Sequence, residues 1–239
     1  MAQVSVKDQL FADLDRSARL RRRTTEDSEF HRRRLLLRLW QGGRLARTHI
    51  DLVFEPRFSA AAKFFLGDLY GPSDIGAHID DIRRVVPVMA RTLPASGLAT
   101  VARAVELNAL SEDLDGAMVE AIGEAADRLD NQAYAAAYAE VGRREDRRRQ
   151  LDLIAELGAA LDALTHVRFI GVALKVMHKP AHLAGLGELQ GFLESGYEAF
   201  GKMRGGAGEF VSIVVARERA LSEALINGEA DALPPERLA

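Results

Sequence analysis

The stretch Leu151-Asp-Leu-Ile154-Ala-Glu-Leu157-Gly-Ala-Ala-Leu161-Asp-Ala-Leu164 decides the fold. Its apolar residues recur at steps of three and four, the period of a helix with one buried face, and no alternation of period two competes with it. Upstream, Tyr134, Tyr138 and Val141 form a face at i, i+4 and i+7 behind a cap at Asp130 or Asn131. Residues 130–166 therefore read as one long helix or two stacked ones, with Gly142 as the weak point. Downstream, Phe169 to Met177 reads as an apolar helical segment ended by Pro180, which starts the next helix through Leu183, Leu186, Leu189, Phe192, Leu193, Tyr197 and Phe200. Gly205-Gly206 separates a last helix over about 207–227.

The N-terminal half follows the same logic. A short helix is predicted over 4–20, and a second from Thr24 or Thr25 to about Gln41, stopped or bent by Gly42 and Gly43. Ser59 is the predicted N-cap of a helix through Phe64 and Tyr70, closed by Gly71-Pro72. A helix from about Ser73 to Arg91 contains Pro87, which predicts a kink or break near Arg84. Pro94 then sits near the first turn of a helix through Leu98, Val101, Val105, Leu107 and Leu110 that restarts or continues at Ser111 and ends by Gly123. Strand-like runs are missing, and the strong helix formers Ala, Leu, Glu and Arg dominate. The expected architecture is all-α: a single multi-helix bundle of about eight to ten helices over residues 1–228, without a β-sheet, followed by a disordered tail over 229–239.

Composition narrows function mostly by exclusion. The chain has 239 residues, 48 % hydrophobic and 28 % charged, enough to bury a sizeable core. It has no cysteine, which removes disulfides, thiol nucleophiles, zinc–thiolate sites and iron–sulfur clusters. The net charge of −3 argues against nucleic acid as a partner, because phosphate binding needs a positive surface. The charge is uneven: residues 1–60 carry 13 basic and 8 acidic side chains, the rest 19 and 27. Arginine outnumbers lysine 27 to 5, as GC-rich coding produces. No run approaches the ~18 apolar residues of a membrane span, and no apolar run of signal-peptide length follows the N-terminus. A cytoplasmic protein without a membrane partner is expected.

Phe64-Phe-Leu-Gly-Asp-Leu-Tyr70, followed by Gly71-Pro72, resembles the signature F-F-L-E-E-L-Y of the bacterial FFLEELY-motif proteins, with Gly67 and Asp68 in place of the two glutamates. Arg44-Leu-Ala-Arg-Thr48, Leu107-x-x-Leu110-Ser111-x-x-Leu114-Asp115 and Gly185-Leu-Gly-x-Leu-Gln190-x-Phe-Leu are similar to other parts of that family. The resemblance spans roughly residues 30–215 and implies an all-α bacterial protein, but no activity.

Among chemistry-bearing patterns, His178-x-x-x-His182 has ligand-like spacing, but Pro180 between them is expected to part the two imidazoles onto separate helices. His166 and His178 flank an apolar segment, as around a haem. Glu106, Glu112, Asp113 and Asp115 read as a charged solvent face or as a carboxylate pair. Nucleotide-binding glycine loops, hydrolase elbows and metalloprotease motifs are absent, so neither a metal nor a cofactor is expected. The run Arg143-Arg-Glu-Asp-Arg-Arg-Arg149 would stack Arg143 on Arg147 and Arg144 on Arg148 if helical, forming forks suited to phosphate or carboxylate. Its alternative is a solvated face with Glu145 and Asp146 as partners.

These patterns favour a non-catalytic helical interaction or regulatory protein that self-associates or docks a protein partner. Two other readings stand beside it. One is a ligand-binding protein or enzyme with a pocket lined by Phe64, Tyr70, Glu106, Tyr138 and His182. The other is an anion or nucleotide sensor acting through Arg143, Arg144, Arg147 and Arg148.

Overall fold

Asp27, not Thr24 or Thr25, opens the second helix. In the computed structural model, which describes residues 6–69, 79–92 and 95–236, its carboxylate accepts from the backbone N–H groups of Glu29 (3.1 Å) and Phe30 (2.9 Å). The first helix, α1 (Val6–Glu26), consequently runs on through the Arg21–Arg23 cluster and both threonines. Helix α2 (Ser28–Thr48) does not stop at Gly42-Gly43. Each glycine costs a helix interior about 1 kcal/mol, but α2 buries Leu37 before the pair and Arg44 and Leu45 after it, and that burial holds the helix through.

Helix α3 (Ile50–Phe54) and helix α4 (Ser59–Phe64) follow. Ser59 is the first residue of α4 rather than its cap; Phe58 occupies the cap without a side-chain bond. The FFLGDLY segment departs from a plain helix, because Phe65–Leu69 forms a π-helical turn around Gly67. Tyr70, Gly71-Pro72, the segment from Ser73 to residue 78, and Leu93-Pro94 lie outside the described residues.

Helix α5 (Ile79–Thr92) runs unbroken through Pro87, and α9 (Arg168–Leu183) through Pro180. A proline in a helix frees the carbonyl four residues earlier. Those residues are Arg83, half-buried and paired with Asp15 of α1, and Val176, which is exposed. Between them, α6 (Ala95–Ile122) is one helix of 28 residues with no restart at Ser111. Residues 130–166 form two helices, α7 (Asn131–Val141) and α8 (Arg144–Thr165), parted where Gly142 and Arg143 take φ of 60° and 50°. Asp130 caps α7 by accepting from Ala133 N–H at 2.8 Å. Helices α10 (Gly187–Lys202) and α11 (Ala207–Ile226) complete eleven α-helices among the described residues, one above the expected range, with no strand among them.

The principal pairings are α1 along α6, α11 along α8 and α10 along α9. Four apolar clusters result among the described residues, the smallest formed by Leu110 and Leu114 of α6 with Leu153 of α8. Phe30, Leu37, Met118, Tyr134, Tyr138 and Leu225 join α2, α6, α7 and α11. Leu52, Phe58, Ile154, Phe200, Phe210 and Val214 join α3, α8, α10 and α11. Leu10, Leu14, Val86 and Val105 join α1, α5 and α6. The first cluster also takes in residues expected to lie in a disordered tail: Ala230 and Leu233 are buried in it, Asn131 donates to the Pro234 carbonyl at 3.1 Å, and the Asn131 N–H donates to Glu236 at 2.7 Å.

Candidate functional site

The arginine run lies at the start of α8, where α6, α7 and α11 meet it. Arg144 and Arg148 do stack toward one target, but that target is Glu223 of α11, which pairs with both. Arg148 also reaches Glu145 at 3.1 Å. Arg143 does not stack on Arg147. It donates to Asp113 at 2.8 Å and to Asp146 at 2.7 Å. Burial opposes the charge of Arg143, yet the two carboxylates outweigh burial and raise its pKa. Arg147 turns inward: it is 6 % exposed, donates from Nε to the Gly142 carbonyl at 3.0 Å, and lies 3.4 Å over the Tyr138 ring. Only the fork of Arg144 and Arg148 therefore forms, and Glu223 occupies it, while Arg143 and Arg147 part to carboxylates of the chain and to an aromatic face.

The five pocket candidates do not share one space. Phe64 is buried under α10, its ring 5.4 Å from that of Phe192. Glu106 accepts from Arg149 at 2.8 and 2.9 Å. The Tyr138 hydroxyl donates to Ser222 at 2.8 Å. His182 is exposed near the end of α9, and Tyr70 lies outside the described residues. None of the four described residues lines the cavity of about 210 Å³ between α1, α2 and α6. That cavity is walled by ions already matched to one another, Arg23 with Glu120, Arg34 with Glu112 and Arg143 with Asp113.

Of the acidic residues of α6, Glu112 is buried rather than solvated, and Asp113 is held between Arg16 and Arg143. Burial raises the pKa of Asp115, with a hydrogen bond from Gln41 (3.1 Å) opposing it. His178 and His182 share a face after all, because α9 is continuous through Pro180; their rings stand 4.6 Å apart, and His178 Nδ1 lies 3.0 Å from Glu194. His166 and His178, the candidate haem flank, both face solvent, at 64 % and 51 % exposure. Among the described residues, no group of three or more His, Asp or Glu could hold a metal ion.

Among the described residues, α9 carries more exposed large apolar side chains than any other helix. Phe169 is 73 % exposed, Val172 57 %, Val176 67 % and Leu183 90 %. The helical step places these four within an arc of about 60°, and Met177, half exposed, widens it to about 140° with Ala173. The opposite side binds the helix to the body. Ala181 is buried there, and Gln190 of α10 donates to the Leu174 carbonyl at 2.8 Å. Gly171 admits Tyr197 so closely that a Cβ would lie 2.9 Å from its hydroxyl. The apolar content of this segment is legible in the sequence; its exposure is not, because a helix apolar over more than half its circumference reads the same whether or not the chain covers it.

Among the described residues no single helix is long and apolar enough to cross a membrane; α8 and the part of α9 from Phe169 to Leu183 meet that test only together, as a pair bent by 91°. Among the described residues the helices and their clusters thus define an all-α protein in which α9 presents an uncovered apolar face. The family model described as "Domain of unknown function (DUF8198)" matches residues 20–232, and the chain belongs to that family. Neither the curated proteins nor the solved structures contain a match to it.

Proposed function

We propose that the chain is a non-catalytic helical interaction protein whose docking element is α9. One observation carries this reading: five large apolar side chains stand half exposed or more on a single 16-residue helix, while no other described helix has more than two exposed large apolar side chains. A contiguous apolar patch costs solubility and marks an interaction surface. The Leu-rich stripes that suggest self-association serve the internal clusters, so association falls to α9. The sensor and pocket readings lose support because the arginine fork and the cavity wall are neutralised from within. A cytoplasmic setting accords with a chain that has no cysteine. The likeness to the FFLEELY-motif proteins adds a bacterial setting and no activity.

The test is the behaviour of the tagged chain in its own cells. The wild-type chain is expected in an assembly or particulate fraction heavier than the chain, and V172D/V176D as the free chain with unchanged thermal stability. Identical fractionation of the two overturns the reading.

A further inference from the structure

Resting on that docking role, we propose that the partner of α9 is an anionic membrane surface, on which the helix lies as an interfacial element. Its dimensions set the mode. With 16 residues α9 is roughly 24 Å long, short of the ~30 Å hydrocarbon core, so it lies in the plane of the interface rather than across it.

Its chemistry sets the partner. The exposed apolar arc of Phe169, Val172, Val176 and Leu183 is bordered on one edge by Lys175 and Lys179, both exposed. No carboxylate occurs between Asp162 and Glu188, although residues 61–239 carry 27 acidic side chains against 19 basic ones. Two of the five lysines of an arginine-rich chain thus sit on the rim of its exposed apolar helix. A lysine stem lies along apolar surface while its ammonium reaches the phosphate level, so this arrangement places hydrocarbon inward and positive charge at the headgroups. A second copy fits less well. In a pair of α9 faces neither helix offers a carboxylate to the other's lysines, whereas anionic headgroups answer every one of them.

The experiment sediments the purified full-length chain with extruded vesicles of phosphatidylcholine alone and of phosphatidylcholine containing a third phosphatidylglycerol, with sedimentation velocity of the protein alone in parallel. The expected result is salt-sensitive binding to the phosphatidylglycerol vesicles, weakened by roughly an order of magnitude in K175Q/K179Q and abolished in V172D/V176D, with both variants melting as the wild type does. Equal binding to both vesicle types, or binding indifferent to these variants, overturns the inference. So does an absence of vesicle binding accompanied by wild-type self-association that V172D/V176D abolishes, which leaves α9 as a docking element for protein. An absence of both vesicle binding and α9-dependent association overturns the inference and the docking role together.

Discussion

Arg44 of α2 holds Glu218 of α11 through one guanidinium nitrogen, 2.6 and 2.5 Å from the two carboxylate oxygens, with both side chains largely removed from water. His49 Nε2 lies 2.9 Å from the same carboxylate. Burial alone would raise the pKa of Glu218, but the charge of Arg44 and the hydrogen bonds from His49 and Arg44 outweigh it and hold the group at about 2, against 4.5 for a free glutamate. The folded value lies below the unfolded one. The stabilisation is therefore complete above about 4.5 and is lost as pH falls toward about 2. E218Q is expected to cost roughly 3–5 kcal/mol at neutral pH, because it leaves the Arg44 charge buried without its counterion. It is also expected to show a smaller stability loss than the wild type between neutral pH and pH about 3. Urea unfolding at the two pH values measures both; an E218Q profile parallel to the wild type would show that this carboxylate does not set the acid sensitivity.

Glu223 ties the start of α8 to α11 by pairing with Arg144 and Arg148. All three side chains are near 40 % exposed or more, so each pair is worth roughly 0.2–1 kcal/mol. R144E/R148E is expected to lower the melting temperature modestly, and E223R added to it to restore most of the loss by rebuilding the pairs with reversed sign. Failure of the third substitution to recover any stability would mean that the arginines act elsewhere.

These two ion clusters mark where sequence reading runs out. Helix period, the Asp130 cap and the break at Gly142 are local, and they are legible in Tyr134, Tyr138 and Leu151–Leu164 because each signal spans only a few residues. Arg44 and Glu218 stand 174 positions apart, and nothing in Arg217-Glu-Arg219 distinguishes the inward carboxylate from a solvated one. Arg147 turns inward because Gly142 and Arg143 both take positive φ, which swings the first turn of α8 across Tyr138. The chain does not break at Gly42-Gly43, Pro87 or Pro180, and at the glycine pair the local cost is overridden by burial on both sides.

The chain after α11 is structural. Leu233 is 5 % exposed, and it packs with Ala230 into the cluster of Tyr134 and Leu225. L233A is expected to cost roughly 2–5 kcal/mol, the range for a buried leucine truncated in a core. L233A should also speed amide hydrogen exchange in α7, whose first residue Asn131 is bound to Pro234 and Glu236. Wild-type stability and exchange in this variant would show the segment to be dispensable.

Gly158 lets α8 lie close against α11: a Cβ there would lie 2.4 and 2.8 Å from the two methyls of Val211 and 3.1 Å from its Cβ. Alanine has the better helix propensity by about 1 kcal/mol, so propensity alone makes G158A stabilising. Contact argues the opposite. Val211 is 7 % exposed and β-branched, with little rotamer freedom to yield, and over-packing at such a site costs roughly 1–3 kcal/mol. Contact should win, and G158A is expected to lower stability. The two effects separate in a double-mutant cycle. V211A removes the methyls that obstruct the new Cβ, so G158A introduced into V211A should be neutral or stabilising as propensity reasserts itself. Chemical unfolding of the four proteins measures the coupling. A stabilising G158A in the wild-type chain, or the same cost in both backgrounds, would mean that the helices separate freely at this crossing.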